Sequence, residues 1–478
     1  MTLKKKYLII SIIFALFWII TSIITYYNTS FIYEIGLVEQ SIWNTINGDF
    51  FYSVSNGGNH FARHNSPILF LFLPLYKLFP HIIIFSLINN MFIALGSVAV
   101  YRFAKNKLNS DFASIIFLFS YLLFPCFYYS NLRSFHPIML SVPFIAFGLY
   151  YLIINNWKPA IFFLILALST NETVSLIIIF LGLFYFFQNK KRGLMICLIG
   201  LIWFYFSIMI VIPHFNINQE YPYFKELYGY LGASPKDIIS NVANPMYLIK
   251  TNIIKQKILY LQNIFQHNLF LSFLSPTILL ITIPIFIQNL LSISAYKYDI
   301  LAHYIYPAIP IIIFSAIMGL KKIQKVLKIK HFKLILIFLL AMAIFNMFTI
   351  GLVPFFKDNC KIFNGLNKEY CQPTNDIIGN SPKETKYLLK SIITLIPDNS
   401  SVMAQNHIFS QVSNRKETYL FSQFYQIPSA DYIILDEKGI VEPVSDLQLY
   451  KQKLHEYNYD LIAQKDYVYL FKKMSVYI

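Results

Sequence analysis

Hydrophobic residues along this chain fall into long runs that recur from residue 8 to about residue 351, with short polar stretches between them. Several of these runs approach the roughly 20 apolar residues that an α-helix needs to cross a bilayer core. The core of a bilayer contains no water to satisfy exposed backbone groups, so a run that spans it has to be helical. The pattern therefore predicts a polytopic α-helical membrane protein with about 9–11 transmembrane helices.

Positive charge is concentrated in one set of the loops between these runs. The 478 residues carry a formal net charge of +16, but the basic residues flank apolar runs and form no stripe on a soluble module, which argues against nucleic acid as a partner. Cytoplasmic loops are the ones enriched in Lys and Arg. We therefore expect a protein of the cell (plasma) membrane with a cytoplasmic N-terminus, a first helix over 8–26 and large outer loops at 27–66 and 213–262.

Two apolar stretches do not fit a single membrane span. The run 159–187 has Glu172 near its middle, and a carboxylate at the centre of a lipid-facing helix costs about 2.5 kcal/mol or more. Two shorter helices with Glu172 at an outer turn avoid that cost. The stretch 264–292 contains Pro276 and Pro284, and the orientation of its neighbours requires it either to cross twice or to re-enter.

The chain changes character after residue 353, where polar and apolar positions become mixed. We expect a transmembrane domain over 1–353 and a small exterior C-terminal α/β domain over 354–478. In this second part Cys360 and Cys371 flank a short polar stretch, for which a disulfide and two free thiols are equally consistent. The alternation of residues predicts strands at 431–435 and 466–471, and helices at 383–395 and 446–457.

Ionisable side chains gather at the predicted outer turns, while the helices between them carry almost none. A transporter more often places such groups near the bilayer midplane. Their position at one surface favours a substrate whose head group lies at the interface and whose tail lies in lipid. The candidate site residues are Glu34, Glu39, Gln40, His60, Arg63, His64, Arg133, His136, Glu172, Tyr298, His303 and Tyr304.

The residue types at these turns suit the transfer of a group from a phosphate carrier. Glu34 and Glu39 lie just beyond the first helix, where a partly desolvated carboxylate can act as a general base for a hydroxyl. The fork of Arg63 matches phosphoryl oxygens. His60 and His64 would lie one turn apart in a helix, a spacing that can bind a divalent metal. A metal site is therefore an alternative here, although no H-E-x-x-H pattern is present. For each residue alone, a solvated loop position is the simpler alternative.

Several of these turns carry a resemblance to a known family. Over nearly its whole length the chain resembles an uncharacterised family of predicted prokaryotic membrane proteins, which is similar in layout to the glycosyltransferase C (GT-C) superfamily. The segments that carry the resemblance are Glu34-Ile35-Gly36, Glu39-Gln40, Trp43-Asn44, His64-Asn65-Ser66-Pro67, Phe135-His136-Pro137, Thr170-Asn171-Glu172, His303-Tyr304, Ala404-Gln405-Asn406-His407 and Ser413-Asn414-Arg415.

The resemblance implies a GT-C-like fold and a membrane glycosyltransferase. Such an enzyme moves a sugar, with inversion, from a polyprenyl-phosphate carrier to an acceptor on the exterior face, so the implied partners are a lipid-linked sugar donor and membrane lipids. Glu34 takes the position of the first-loop acid, and the turn at Glu172 lies near the carrier phosphate. The family pattern has Lys at the position of Asn171 and Asp at that of Thr173, so one cation expected beside the phosphate is absent here.

We therefore hypothesise that Glu34 deprotonates the acceptor and that Glu39 and Gln40 orient it. In this hypothesis the carrier phosphate is held by Arg63, His64, Arg133 and His136, and the same pocket is lined by His303 and Tyr304. One alternative is a lipid or glycolipid transporter or flippase, which would place functional polar groups deeper in its helices. Another is a non-catalytic membrane protein whose exterior domain binds a partner. In that protein the outer-loop acids would tolerate substitution. The sequence carries no signal for the oligomeric state.

Overall fold

Apolar helices form most of the N-terminal part of the protein. The computed structural model describes residues 6–27, 31–128, 134–232, 235–244, 246–247, 254–326, 328–351, 383–421, 430–437 and 447–474. The α-helices of this part are α1 (Lys6–Tyr27), α2 (Tyr33–Ile46), α3 (Phe72–Leu78), α4 (Ile83–Leu108), α5 (Asp111–Leu122), α6 (Ser141–Ile153), α7 (Trp157–Leu168), α8 (Val174–Phe186), α9 (Lys190–Tyr205), α10 (Ile212–Phe215), α11 (Pro222–Tyr228), α12 (Pro235–Val242), α13 (Ile254–Gln266), α14 (Pro276–Leu279), α15 (Ile283–Leu291), α16 (Ile309–Gln324) and α17 (Ile329–Thr349).

Five helical stretches of the described residues are long and apolar enough to cross a membrane, which fits the predicted polytopic helical architecture. Several of their side chains face outward: Ile13, Leu201 and Phe338 are all exposed. Apolar side chains on the outside of a bundle are stable when lipid surrounds them. The five stretches are Lys6–Tyr27, Ile83–Leu108, Lys190–Phe215, His303–Gln324 and Ile329–Thr349, and shorter apolar segments lie between them.

The predicted division of the run 159–187 is confirmed. Helix α7 ends at Leu168 and α8 begins at Val174, so Glu172 lies in the turn between two short helices. The turn has its own polar bonds, because Asn171 Oδ1 accepts from both the backbone N–H and the hydroxyl of Thr173. A polar turn of this kind ends one helix and begins the next without placing a carboxylate against lipid.

The proline-containing stretch 264–292 forms a broken hairpin inside the bundle. Helix α13 leads into it, and α14 and α15 lead out. Its turn packs along α16, where Ser272 Oγ donates to the carbonyl of Ile312 at 3.0 Å and Lys322 Nζ donates to the carbonyl of Leu274 at 2.8 Å. The outer loop predicted at 213–262 is correspondingly shorter, because 254–262 belong to α13 and two short helices, α11 and α12, lie before it.

The first predicted outer loop, 27–66, is largely structured. Its first half contains α2, a helix of 14 residues that the sequence pattern did not predict. Ile35, Val38 and Ile42 are buried on one side of it, at the i, i+3, i+7 spacing that places apolar side chains on one helical face. The polar residues between them mask this periodicity, so the sequence pattern alone indicates a loop.

The C-terminal part is a small α/β unit, as predicted. Its helices are α18 (Lys383–Ile393), α19 (Asn406–Phe409) and α20 (Leu447–Glu456), and its strands are β1 (Val402–Ala404), β2 (Thr418–Leu420), β3 (Tyr432–Asp436), β4 (Tyr459–Lys465) and β5 (Val468–Lys473). The strand order is β2-β1-β3-β5-β4, with β1, β2 and β3 parallel and β5 antiparallel to both β3 and β4. Successive residues of β3 pack into two different hydrophobic cores. Ile434 packs with Leu389 of α18, and Ile433 packs with Leu454 of α20.

This C-terminal unit packs directly against α2. Asn406 Oδ1 accepts from the backbone N–H of Tyr33 at 3.0 Å, which joins the start of α19 to the start of α2. One turn later Gly36 allows close approach: a Cβ at this position would lie 2.7 Å from the ring of Phe409 and 3.2 Å from Ser413. The unit is therefore docked on the first-loop helix as well as joined to the chain after α17.

Candidate functional site

A cavity open to solvent lies where several turns of the bundle meet, and its empty space, including the solvent at its mouth, is about 420 Å³. Its walls come from segments far apart in sequence, and they combine histidines, one buried carboxylate, one lysine and several tyrosines. Aromatic walls with a few convergent polar groups are typical of sites for small molecules and cofactors. The residues that line the cavity are His64, His136, Pro137, Ile138, Asn171, Glu172, Thr173, Tyr221, Tyr223, Lys297, His303 and Tyr304.

One wall contains a histidine paired with a carboxylate of α2. Glu34 lies in the first turn of α2, and its Oε2 accepts from His136 Nε2 at 2.9 Å and from Ser134 Oγ at 2.6 Å. His136 reaches this position from extended backbone, the conformation that the following Pro137 favours. Burial raises the pKa of Glu34, but the charge of His136 and the two hydrogen bonds outweigh it, so the net pKa is lowered.

A second histidine–carboxylate pair forms another wall. His64 Nδ1 lies 3.0 Å from Glu172 Oε1, and the backbone N–H of Asn65 donates to Glu172 Oε2 at 3.1 Å. The other ring nitrogen of His64 lies 2.9 Å from the hydroxyl of Tyr223, which belongs to α11. The side chain of Glu172 is fully buried. Buried carboxylates are stable when each oxygen has a partner, as both have here.

His303 and Tyr304 complete the cavity beside the first pair. The ring of His303 stacks on His136 with a centroid separation of 3.5 Å, and the ring of Tyr304 lies 4.1 Å from His303. The stacking fixes the plane of the His136 imidazole. Both residues were predicted as site residues, and the structure places both of them on the cavity wall.

Lys297 lines the cavity, although the prediction named its neighbour Tyr298 as the site residue. Its Nζ lies 3.7 Å from the centre of the Tyr304 ring, and the side chain is 7% exposed. Among the residues that the structure describes, its ammonium makes no ion pair or side-chain hydrogen bond. Burial lowers its pKa to about 8, against the opposing charge of Glu172, so it is mostly protonated at neutral pH. The available signal was that Lys297 is the single Lys or Arg in residues 293–303.

Two further predicted residues lie behind the wall. Arg63 donates from one guanidinium nitrogen to both carboxylate oxygens of Glu226, at 3.1 and 3.2 Å, and lies 5.7 Å from the centre of the Tyr223 ring. His60 is buried 6.4 Å, ring to ring, from His64, and burial lowers its pKa to about 3. The described residues contain no group of three or more side chains arranged to hold a metal ion.

Three predicted residues lie away from the cavity. Glu39 accepts from the hydroxyls of Tyr76, at 2.8 Å, and of Ser413, so it lies at the junction with the C-terminal unit. Gln40 lies there too, donating to the carbonyl of Lys416 at 3.3 Å. The ring of Tyr298 lies 4.9 Å from the Lys257 ammonium and does not line the cavity. Arg133, Cys360 and Cys371 lie outside the described residues.

The comparisons with known proteins agree with this architecture. The sequence matches the family "Predicted membrane protein (DUF2079)" over residues 27–470. No protein of curated function matches it. The fold is similar to that of ArnT from Cupriavidus metallidurans in two crystal structures. The structure bound to undecaprenyl phosphate has 12% identity and a TM-score of 0.56, covering 99% of both chains. The apo structure has 10% identity and a TM-score of 0.55, covering 98% of both.

Proposed function

The chain belongs to the DUF2079 family of membrane proteins, and because it has an ArnT-like GT-C fold with a cavity of charged and aromatic residues, we propose that it is a glycosyltransferase using a lipid-linked sugar donor. In this proposal it transfers the sugar, with inversion, from a polyprenyl-phosphate carrier to a hydroxyl acceptor. The observation that carries the proposal is the buried Lys297 in a cavity lined by two histidines, His64 and His136, each of which is paired with a carboxylate.

Lys297 supplies the charge that a carrier phosphate needs. A buried ammonium without a carboxylate partner is costly, and an anionic ligand removes that cost. The position of Lys297 can also compensate for the lysine that is missing from the third turn. Asn171 lines the same cavity, and Lys297 enters that cavity from another segment. The cation lost from one turn is thus replaced, in space, by one from a different turn. Bound at Lys297, a phosphate would leave with its negative charge balanced.

The undecaprenyl phosphate of the ArnT crystal structure supports the same class of carrier. Exposed apolar side chains at Leu71, Leu75 and Leu78 form an outward surface on and beside α3. The segment before α3 contacts a turn of the cavity wall, because the backbone N–H of Ile68 donates to the carbonyl of Ser169 at 2.9 Å, and Asn171 and Glu172 of that turn line the cavity. A polyprenyl chain against this surface would leave its phosphate near the cavity.

The charge pattern supports an exterior location for the site. Helix α16 begins at Ile309, next to the cavity residue His303, and ends near Lys321 and Lys322. At a rise of about 1.5 Å per residue, these ends lie roughly 24 Å apart, close to the thickness of a bilayer core. Lysines mark the cytoplasmic end. We therefore assign the cavity and the C-terminal unit to the exterior face of the plasma membrane and the N-terminus to the cytoplasm.

The test is sugar transfer in lipid nanodiscs with a panel of radiolabelled polyprenyl-phosphate sugars. We expect release or transfer from at least one donor. Lys297→Ala should raise the KM for that donor about 10- to 100-fold, equivalent to the roughly 1.5–3 kcal/mol of a hydrogen bond to a charged group. Lys297→Arg should recover part of the loss.

The matched control is Lys416→Ala, which removes an exposed lysine paired with Asp49 at 3.1 Å outside the cavity. It should leave the KM unchanged. If folded wild-type protein turns over no donor in the panel, the transferase proposal is rejected. Movement of a labelled lipid across the bilayer without bond cleavage would then support a flippase, and loss of function only by substitutions in the C-terminal unit would support a binding protein.

A further inference from the structure

The first histidine–carboxylate pair presents its imidazole to the cavity, whereas its carboxylate lies behind the imidazole. His136 lines the cavity and Glu34 does not. The two side chains meet through His136 Nε2 and Glu34 Oε2. A substrate in the cavity therefore reaches the imidazole first, and the carboxylate acts on the substrate through the imidazole.

The contacts of Glu34 make it a poor acceptor for a further proton. Its Oε2 already accepts from the Ser134 hydroxyl and from His136 Nε2. Both bonds favour the ionised carboxylate and oppose its protonation. A group held in this way orients a neighbouring imidazole and stabilises the positive charge that develops on it.

The same bond determines which nitrogen of His136 is available. Because Glu34 accepts at Nε2, that nitrogen carries the hydrogen, and the lone pair lies at Nδ1. No partner for Nδ1 is found among the residues that the structure describes. The ring of His303, stacked at 3.5 Å, holds the imidazole plane and shields one of its faces. The lone pair is thus presented within the plane of the ring.

The His64–Glu172 pair provides an internal contrast. Its imidazole also meets a carboxylate, but Nδ1 contacts Glu172 and Nε2 contacts the Tyr223 hydroxyl. Both ring nitrogens are therefore occupied, and His64 has no lone pair free for an acceptor. Of the two paired histidines in the cavity, His136 alone combines a carboxylate partner with an unoccupied nitrogen within the described part of the chain.

We propose that His136 is the general base of the reaction and that Glu34 is its positioning residue; this rests on the proposed glycosyltransferase function. The acceptor O–H gives its proton to His136 Nδ1 while the acceptor oxygen bonds to the anomeric carbon of the sugar. The bond from that carbon to the carrier phosphate oxygen breaks, and its electron pair leaves with the phosphate beside Lys297. Glu34 balances the imidazolium until the proton passes to water.

The experiment compares His136→Ala, Glu34→Ala and the double variant in the donor assay. We expect His136→Ala to lower kcat by about 10²- to 10⁴-fold, the usual contribution of a general base, with little change in the donor KM. Added imidazole should restore part of that kcat. Glu34→Ala should cost less, and the double variant should be no slower than His136→Ala, because the two residues act as one unit.

Two outcomes of this comparison would overturn the assignment of His136 as the base. If Glu34→Ala abolishes turnover while His136→Ala retains most of it, Glu34 is the base and the assignment of His136 is overturned. His64→Ala is the comparison variant for imidazole: its lost activity should not be recovered, because His64 has no free nitrogen to replace. Recovery of both variants to the same extent would also overturn the assignment.

A spectroscopic measurement separates this proposal from the proposed function. In ¹⁵N-histidine-labelled protein, the His136 signals, assigned by their loss in His136→Gln, should show a single Nε2–H tautomer. In Glu34→Ala they should show a mixture of tautomers. Unchanged signals would overturn the His136–Glu34 pairing even in a protein that turns over no donor, whereas absence of turnover by itself would overturn only the glycosyltransferase function.

Discussion

Helix α2 carries two carboxyl groups whose surroundings differ: Glu34 is partly buried and Glu39 is buried. Each accepts two side-chain hydrogen bonds: Glu34 from His136 and Ser134, Glu39 from Tyr76 and Ser413. At 3.6 residues per turn, five positions rotate a side chain by about 140°. The two groups therefore project from different faces of one helix, one toward the cavity and the other toward the C-terminal unit.

The two carboxyl groups differ in their partners, because Glu34 contacts an imidazole whereas Glu39 contacts two hydroxyls. Burial raises the pKa of both carboxyl groups. At Glu34 the charge and hydrogen bond of His136 and the hydrogen bond of Ser134 reverse that effect and lower the pKa. At Glu39 two neutral hydroxyls do not reverse it, and the pKa is raised to about 7. Hydrogen bonds from hydroxyls do not offset the effect of burial on the pKa of Glu39, whereas the added contact with the His136 imidazole favours the ionised form of Glu34.

The largest expected effect is on turnover, which should respond strongly to a substitution of Glu34 and little to one of Glu39. Glu34→Gln should lower kcat by about 10²-fold or more, because the His136 imidazolium loses its countercharge. Glu39→Gln should leave kcat within about threefold, since its amide can still bond both hydroxyls and no proton transfer passes through it. The measurement is single-turnover sugar transfer. Equal losses in the two variants would contradict the division of α2 into a reactive face and a docking face.

The next effect concerns the stability of docking as a function of pH. A carboxyl group whose folded pKa is raised from 4.5 to about 7 stabilises the docked state fully below pH 4.5 and loses that contribution as pH rises through 7. The difference amounts to roughly 3 kcal/mol. The titratable groups around Glu39 are Tyr76 of α3 and Tyr26 of α1, both neutral over this range.

Hydrogen exchange of residues 402–421 at pH 5 and pH 8 measures this contribution. In the wild type, exchange should be faster at pH 8 after correction for the intrinsic rate. In Glu39→Gln, which stays neutral, the corrected rates should agree at the two pH values. A wild type without pH dependence would show that Glu39 is ionised in the docked state.

The smallest expected effect tests the close contact between α2 and α19. Gly36→Ala would place a Cβ 2.7 Å from the Phe409 ring, and overpacking of this kind costs about 1–3 kcal/mol. We expect a lower unfolding temperature of the C-terminal unit, partly restored by Phe409→Leu. Gly229→Ala is the control, because nothing lies within 4 Å of a Cβ there. An unchanged unfolding temperature in Gly36→Ala would show that the Phe409 ring moves aside at little energetic cost.

The interpretation of Glu34 and Glu39 illustrates how far the sequence alone could go. Spacing placed both residues in one outer loop and grouped them as catalytic candidates. Separating them required knowing that the segment is a helix, since only helical rotation sends neighbours five residues apart to different faces. Tyr298 and Lys297 show the same limit: they are adjacent in sequence, and only the backbone path decides that Lys297 enters the cavity.

The sequence by itself determined the features that depend on local pattern. These are the polytopic helical bundle, the turn at Glu172, and the strands near 432–436 and 468–473. Each follows from hydrophobic period, from the cost of a charge in lipid, or from β-branched and aromatic alternation. The three-residue strands β1 and β2 were beyond such patterns, because so short a segment has no measurable period.

Tertiary structure alone decided which side chains meet. That His136 meets Glu34, that Lys297 lines the same cavity as Asn171, and that Ser413 reaches Glu39 each bring together segments separated by about a hundred residues or more. Local propensity carries no information about such pairs, because the free energy that selects them comes from packing and charge neutralisation in the folded chain. The sequence specified the chemical groups, and the fold specified which of them share a proton or a charge.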